Sequence, residues 1–318
     1  MDSTHSENAF QRSCVAIGAD AGGTKVAFAW SDSEQSFRFE APSVNLRTST
    51  PSEFAAHVAG QIRIGLANVP LATDVRVCLG AAGAGTIMVA HALRNELAAQ
   101  LGLPENQVRV VADAHVALRA GFPNGNGILI IAGTGSGCYA LNDRDELIRA
   151  GGWGPGLEDP GSGNELGRSA VKHLLSCLET DSTDPLSEAV ANVMGLDFPS
   201  VGTVLDTFYG ADFQASKLAP AILDLNEAGD LEASQLVRRQ CVSLAGQCRR
   251  LIQSLDPDTQ IQIAVAGGLS HRDSYMRCLA EAIKAVAPGT NVNRLLQEPV
   301  DGALSWALSE RVQTSSTS

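Results

Sequence analysis

The chain has 318 residues and a formal net charge of −12, from 23 lysines and arginines against 35 aspartates and glutamates. At about 150 residues per domain, this length predicts two domains, and the 44% of hydrophobic residues allows each a sizeable core. The acidic balance disfavours nucleic acid and anionic membranes as partners, because both attract positive surfaces. The polar start shows no secretory signal, and no apolar run approaches the roughly 18 residues of a membrane span, so we expect a cytoplasmic protein.

The first part of the chain alternates short apolar runs with amphipathic stretches. We predict strands at residues 14–18, 25–30, 37–41, 75–79 and 108–112, and helices at residues 52–68, 86–101 and from 113 onward. In chain order these elements spell βββαβαβα over about the first 118 residues.

The second part repeats this beginning. We predict strands at residues 127–132, 138–141 and 261–266, mostly helical sequence from the glycine-rich residues 151–163 to residue 256, and helices at residues 273–286 and 302–308. A Ser/Thr tail follows and is expected to fray. Alternating strands and helices in both parts predict two α/β domains with a ligand cleft between them.

Three glycine-containing loops follow predicted strands. In the first, Asp20 precedes a glycine turn and Thr24, a combination suited to phosphate binding by backbone N–H groups with a carboxylate for hydrated Mg²⁺. The second, residues 133–137, adds two hydroxyls among three glycines and forms another candidate phosphate site. The third, at Gly267 and Gly268, leaves bare backbone on which a purine could lie. Each loop could alternatively be an ordinary turn, but their recurrence favours nucleotide binding.

Asp113 stands where a predicted strand ends and a helix begins, the position at which α/β folds place catalytic groups. A kinase needs such a carboxylate to accept the proton of the attacking hydroxyl. The structural alternative is a helix N-cap, and the two roles are compatible. His115 is interpreted as a packing residue, because no second histidine or cysteine stands at metal-ligand spacing.

The glycine-rich residues 151–167 also contain Trp153, Glu158 and Asp159, a composition that suits a bent loop facing a polyhydroxylated ligand. The 7 cysteines of the chain are scattered and never form a C-x-x-C pair. We interpret them as small buried hydrophobic residues in a reducing compartment, since their spacing supports neither structural zinc nor disulfides.

Together, these segments resemble the BadF/BadG ATPase and N-acetylglucosamine kinase family of the actin-like ATPase superfamily. The segments that carry the resemblance are Asp20-Ala-Gly-Gly-Thr24, Asp113, Gly133-Thr-Gly-Ser136, Gly151-Gly-Trp-Gly154, Asp159-Pro-Gly-Ser162 and Ala266-Gly-Gly268. The resemblance spans about residues 14–310 and implies two RNase H-like domains, each βββαβαβα. We place the N-terminal domain, with the first phosphate loop and sugar-binding residues, at 13–118. The C-terminal domain, with the second phosphate loop, the adenosine site and a helical insert, is placed at 119–311, between tails at 1–12 and 312–318.

The resemblance implies roles for individual residues. Asp113 corresponds to the catalytic base, and Asp20 to the residue that holds Mg²⁺ through water. The ATP phosphates are assigned to Gly22, Gly23, Thr24, Lys25, Gly133, Thr134, Gly135 and Ser136, and adenosine to Gly267 and Gly268. The sugar is assigned to Asn45, Gly83, Asp113, Gly152 and Asp159. Three departures from the family pattern occur, at Ala21, Gly137 and Glu158, and the last two lie near the sugar.

The function implied by the resemblance is ATP-dependent transfer of the γ-phosphate to the 6-hydroxyl of N-acetylglucosamine or glucosamine. N-Acetylmuramic acid and plain hexoses remain alternative sugars, and dimers are common in the resembling family. Two other classes share the fold. One is an ATP-driven activator of 2-hydroxyacyl-CoA dehydratases with a cysteine-bound iron–sulfur cluster, but Cys138 lacks the surrounding sequence of that family. The other is a non-catalytic sugar sensor, which the short N-terminus, the acidic charge and the retained Asp113 disfavour.

Overall fold

A computed structural model describes residues 14–22, 25–32, 35–44, 46, 48–67, 74–123, 127–142, 144–154, 156–255 and 261–314. The chain divides into two compact units, one formed by Met1–Asn124 with Gln297–Ser318 and the other by Gly125–Leu296. No helix among the described residues is long and apolar enough to cross a membrane.

The first unit is a five-stranded mixed sheet with helices on both faces. Its elements are β1 (Cys14–Ala21), β2 (Lys25–Ser31), β3 (Ser36–Pro42), α1 (Pro51–Leu66), β4 (Asp74–Ala81), α2 (Ile87–Leu101), β5 (Val108–Ala112), α3 (Asp113–Gly121) and, from the end of the chain, α10 (Pro299–Thr314). The strand order is β3-β2-β1-β4-β5. β2 runs antiparallel to β1 and β3, whereas β4 and β5 run parallel to β1. The predicted βββαβαβα order is confirmed.

Alternation along β1 divides the first unit's core into two layers, since successive strand residues point to opposite faces. Ile17 belongs to the layer that includes Phe54 of α1 and Leu97 of α2. Ala16 belongs to the other layer, with residues of α3 and α10 such as Val116 and Trp306. Asp20 has the parity of Ala16, so its side chain emerges on the face covered by α3 and α10.

The second unit repeats the sheet with a helical insert. Its elements are β6 (Gly127–Ala132), β7 (Ser136–Leu141), β8 (Leu147–Ala150), α4 (Gly163–Glu179), α5 (Pro185–Val193), α6 (Val201–Phe208), α7 (Ala219–Glu227), α8 (Leu231–Ile252), β9 (Gln262–Ala266), α9 (Asp273–Val286) and β10 (Asn291–Arg294). The strand order β10-β9-β6-β7-β8 matches that of the first unit, with β9 parallel to β6 and β10. Its main core joins β6 and β9 to α4, α8 and α9.

The structure corrects the domain boundaries expected from the sequence. The boundary expected after residue 118 would cut α3, which lies wholly in the first unit, and α10 belongs to the first unit and not to the C-terminal domain. Small residues explain this packing. A Cβ at Gly302 would lie 1.9 Å from the Val116 carbonyl oxygen of α3, and one at Gly18 would lie 2.3 Å from the Leu304 nitrogen. The second unit therefore lacks the closing helix of a strict βββαβαβα repeat.

Candidate functional site

Two predicted functional carboxylates lie at the carboxyl ends of parallel strands in the first unit. Asp20 is the second-last residue of β1, and Asp113 is the first residue of α3, directly after β5. Burial raises the pKa of Asp113, against the lowering effect of the Ala114 N–H, which donates to Asp113 Oδ1 at 2.9 Å. Burial and the negative charge of Asp113 raise the pKa of Asp20 to about 7, although Lys25 lowers it.

The surroundings of Asp20 and Asp113 therefore supply too little positive charge to keep both carboxylates ionised. An oxygen-binding divalent cation would supply that charge, and carboxylate oxygens are the ligands that Mg²⁺ prefers. The donor set at Asp20 thus fits the Mg²⁺ that the sequence predicts. The alternative role of Asp113 is that of helix N-cap. Ala112 occupies that position instead, and Asp113 is the first residue of the helix, where it accepts from the Ala114 N–H.

The first glycine loop connects β1 to β2, and hydrogen bonds hold its described ends. The Gly22 N–H donates to the Lys25 carbonyl at 3.0 Å, and Ser43 Oγ donates to the Gly22 carbonyl at 2.7 Å. The Lys25 ammonium forms an ion pair with Glu40, which raises the pKa of Lys25. A phosphate at this turn would have to compete with Glu40 for that lysine. The predicted phosphate ligands Gly23 and Thr24 lie outside the described residues.

The predicted sugar contact Gly83 lies on a loop tied to the Asp20 strand. The Ala82 N–H donates to the Ala21 carbonyl at 2.9 Å. Gly83 has φ +97, a conformation that side chains disfavour, and a Cβ there would lie 3.5 Å from the Leu46 side chain. The predicted sugar ligand Asn45, next in sequence to Leu46, lies outside the described residues.

In the second unit, the loop of Gly133 and Thr134 is docked on the N-terminus of α4. The Gly163 N–H donates to the Gly133 carbonyl at 2.8 Å, and the Asn164 N–H donates to the Thr134 carbonyl at 3.1 Å. The first N–H groups of a helix have no partners within the helix, and here they hold the loop. The Gly135 carbonyl accepts from the Gly133 N–H at 2.9 Å and closes the loop on itself.

The third glycine pair adjoins this loop, because β9 lies beside β6 in parallel register. A Cβ at Gly267, whose φ is +97, would lie 2.4 Å from the Ala132 carbonyl oxygen, so only glycine lets the backbones approach this closely. Gly133 and Gly268 line one cavity of about 450 Å³ together with Thr134, Lys217 and Arg272. This volume is within the usual range of small-ligand sites.

Sequence reasoning missed the two cations of this cavity. Lys217 lies in the helical insert, just before α7, where no recognisable pattern marks it. Arg272 follows the glycine pair by four residues, and it is held by Glu227 at 2.7 Å and Asp224 at 2.6 Å, which raise its pKa further. Only the folded chain shows that both residues line the nucleotide-sized cavity.

The predicted sugar residue Gly152 packs against β7. A Cβ at Gly152, where φ is +73, would lie 3.0 Å from the Tyr139 hydroxyl, and one at Gly137 would lie 3.1 Å from the Gly152 Cα. Gly137, one of the three departures from the family pattern, permits this close contact. The predicted phosphate ligand Ser136 is buried, and its Oγ donates to the Pro160 carbonyl at 2.6 Å.

The predicted sugar ligand Asp159 is only 2% exposed, and both of its carboxylate oxygens have protein partners. Arg168 Nη2 donates to Oδ1 at 2.9 Å, and Ser162 Oγ donates to Oδ2 at 3.0 Å. Burial raises the pKa of Asp159, against the lowering effects of Ser162 and Arg168. Ser162 in turn accepts from the Glu165 N–H and caps α4. In this arrangement both carboxylate oxygens of Asp159 take part in ordering the start of α4.

Two of the sequence interpretations concern packing residues. The ring of the half-buried His115 lies 5.4 Å, centroid to centroid, from the ring of Trp306, which belongs to the small core between α3 and α10. Cys138 is fully buried in β7, where its hydrogen bond with Cys248 and its burial raise the pKa of its thiol. Both residues thus make the packing contacts that the sequence interpretation expected of them.

Two α/β units with the same mixed-sheet order and glycine loops at the strand ends have the fold of actin-like ATPases. The chain belongs to the BadF/BadG/BcrA/BcrD ATPase family, whose model matches residues 17–308. Membership of this family implies that the nucleotide is ATP.

Named relatives are similar over most of their lengths. An N-acetylmuramic acid/N-acetylglucosamine kinase of Clostridium acetobutylicum is 26% identical over 82% of this chain and 87% of its own. An N-acetyl-D-glucosamine kinase of Dictyostelium discoideum is 26% identical over 93% of this chain and 98% of its own. The solved structure of a candidate N-acetylglucosamine kinase from Chromobacterium violaceum has a TM-score of 0.71 at 22% identity, covering 92% of this chain and 99% of that one. That likeness shows the fold.

Proposed function

We propose that this chain is an ATP-dependent amino-sugar kinase that transfers the γ-phosphate of ATP to the 6-hydroxyl of N-acetylglucosamine or glucosamine. The proposal is supported by the family and by the names of the two curated relatives, both of which are N-acetylglucosamine kinases. The observation that carries it is the acidic pair of the first unit, with Asp113 placed at the end of β5 and Asp20 at the end of β1.

Asp113 is the general base of the proposed reaction. Its carboxylate accepts the proton of the sugar's 6-hydroxyl as the 6-oxygen forms a bond to the γ-phosphorus. The bond from that phosphorus to the bridging oxygen of ADP breaks, and ADP leaves. A raised pKa makes Asp113 a better proton acceptor than an ordinary aspartate, provided that it remains ionised at the working pH.

Asp20 would hold the hydrated Mg²⁺ that accompanies ATP, and this cation neutralises phosphate charge. The cavity bounded by Gly133, Gly268 and Arg272 would take the nucleotide. Arg272 offers a planar guanidinium next to bare backbone, a surface suited to a purine ring. Since Asp224 and Glu227 already neutralise this arginine, its contribution would be stacking and not phosphate binding.

Of the residues assigned to the sugar, Asp113 and Gly83 belong to the first unit and Gly152 to the second. Asp159 would act on the sugar through the loop that it orders. Glycines with positive φ at positions 83 and 152 bring backbone amides to the surface of their loops without side chains. Backbone amides and carbonyls can bind the several hydroxyls of a sugar. Which amino sugar fits best depends on pocket shape, and the two relatives already differ in the substrates that they are named for.

The test is a coupled assay of ADP release with Mg-ATP against N-acetylglucosamine, glucosamine, N-acetylmuramic acid and glucose, with the phosphosugar confirmed by mass. We expect turnover on an amino sugar. Asp113→Asn should lower kcat by at least about 100-fold, the lower end of a general base's contribution, and leave sugar affinity nearly unchanged. Asp206→Asn, on the exposed face of α6, is the matched control. A fully active Asp113→Asn variant, or ADP release that no sugar stimulates, would refute the proposal.

A further inference from the structure

Three metal-ligating side chains converge where α4 ends and α5 begins. His173 Nε2 lies 2.6 Å from Asp184 Oδ2, and Cys177 Sγ lies 3.6 Å from the same nitrogen and 3.7 Å from the same oxygen. His173 and Cys177 are four residues apart on α4 and so lie on one helix face. None of these residues belongs to the proposed kinase site. The N-terminal end of α4, which holds the loop of Gly133 and Thr134, lies roughly 15 Å from His173, since ten helical residues each rise about 1.5 Å.

We propose that His173, Cys177 and Asp184 form a binding site for a Zn²⁺-type cation, with water as the fourth ligand. In a tetrahedral zinc site with bonds of about 2.0 Å to nitrogen and oxygen and 2.3 Å to sulfur, neighbouring ligand atoms lie roughly 3.3–3.6 Å apart. The two distances from Cys177 Sγ, 3.6 and 3.7 Å, lie at or just above the upper end of this range. Only the 2.6 Å contact between His173 and Asp184 must lengthen, and it is the hydrogen bond that the cation would replace.

The direction in which the three ligand atoms point distinguishes a cation site from a catalytic triad. In a nucleophilic relay, the nucleophile and the carboxylate bond opposite nitrogens of the imidazole ring. Here Cys177 Sγ and Asp184 Oδ2 both face Nε2 of His173. Three donor atoms that point at one small volume are the arrangement of a metal site, and the thiolate favours zinc over Mg²⁺.

The surroundings also hold one ligand in place and leave access for a cation. Asp184 is the N-cap of α5, and its Oδ1 accepts from the Ser187 N–H at 2.7 Å, which leaves Oδ2 directed at the cluster. Such a bond to the second oxygen orients a ligating carboxylate. The side chains of His173 and Asp184 are 22% and 25% exposed, so the site can be reached from solvent, whereas Cys177 is buried. The bound cation would cross-link α4 to α5.

Binding requires the cation to displace the Cys177 thiol proton into solvent and to bond neutral His173 through Nε2. Co²⁺ is the probe, because a cobalt–thiolate bond gives a near-ultraviolet charge-transfer band. The full chain is stripped with EDTA, dialysed and titrated with Co²⁺, and Zn²⁺ is then added as competitor. We expect one equivalent of Co²⁺ to produce the band, Zn²⁺ to abolish it, and Zn²⁺ to raise the melting temperature.

Variants distinguish this site from the other thiols. Cys177→Ser should abolish the charge-transfer band, and His173→Gln or Asp184→Asn should weaken Zn²⁺ binding by at least about tenfold. Asparagine can still cap α5, so Asp184→Asn keeps the local fold. Cys278→Ser removes a partly exposed thiol and is the matched control, with the band expected to remain. The proposal is overturned if no charge-transfer band forms, if the band survives Cys177→Ser, or if Cys278→Ser removes it. These outcomes do not depend on kinase activity.

Discussion

Replacing Asp20 with asparagine should stabilise the protein at neutral and alkaline pH while it abolishes the proposed phosphate transfer. Burial and the nearby charge of Asp113 raise the pKa of Asp20 from an ordinary 3.8 to about 7. Between these two values the folded protein keeps a proton that the unfolded chain has released. The free energy of unfolding therefore falls as the pH rises from about 4 to 7, and this loss is complete above 7.

The size of the effect follows from the same pKa values. At 1.36 kcal/mol per pKa unit, the ionised Asp20 costs the folded state about 4 kcal/mol above pH 7, and about 3 kcal/mol of this cost appears between pH 5 and pH 8. Asparagine has no charge to bury, so Asp20→Asn should lack this pH dependence. Its hydrogen bonds also differ from those of a carboxyl group, but that difference is the same at both pH values and cancels in the comparison.

The assay is urea unfolding of the wild type and Asp20→Asn at pH 5 and pH 8 in the presence of EDTA, with Asp206→Asn as an exposed control. The stability of Asp20→Asn relative to wild type should rise by about 3 kcal/mol from pH 5 to pH 8. At pH 8, added Mg²⁺ should stabilise the wild type and not the variant, because the cation compensates the carboxylate. An equal pH dependence in wild type and Asp20→Asn would show that Asp20 is not the destabilised carboxyl group.

Further predictions concern packing. Gly18→Ala should lower the free energy of unfolding by roughly 1–3 kcal/mol, because its Cβ would lie 2.3 Å from the Leu304 nitrogen of α10. Gly60→Ala, inside α1 with nothing within 4 Å of the added Cβ, should instead stabilise by about 0.5–1 kcal/mol, and melting temperatures distinguish the two. Tyr275→Phe removes the 2.6 Å hydrogen bond to the Gly161 carbonyl and should cost about 1–3 kcal/mol in urea unfolding, and an unchanged midpoint would contradict that role.

Much of the fold follows from local sequence patterns. The strands that end at Ala21 and Ala132 are apolar runs followed by glycines, and the structure places both as central strands of their sheets. β10, at Asn291–Arg294, escaped prediction because three of its four residues are polar. It is a short edge strand that pairs only with β9, and its backbone, more than its side chains, holds it in the sheet.

Long-range packing is what the sequence could not specify. The apolar pattern of α10 predicts a helix near residues 302–308, but nothing in it tells which sheet the helix covers. That choice depends on Gly302, which lets α10 approach α3 closely, and on Trp306, which is buried in the same cluster as Ala16. The cluster of His173, Cys177 and Asp184 could not be predicted for the same reason. His173 and Cys177 stand four residues apart on α4, but Asp184 joins them only because the chain reverses after that helix.

At Asp159, a predicted sugar ligand, the structure shows hydrogen bonds that the sequence did not reveal, and they lead to the start of α4. Asp159 bonds Ser162, Ser162 caps the helix, and the first N–H groups of the helix hold the carbonyls of Gly133 and Thr134. The segment assigned to the sugar and the loop assigned to phosphate are thus joined through one helix terminus. We therefore expect a change in the loop at Asp159 to move the loop of Gly133 and Thr134 as well, which would couple the proposed sugar and phosphate segments through hydrogen bonds of the second unit.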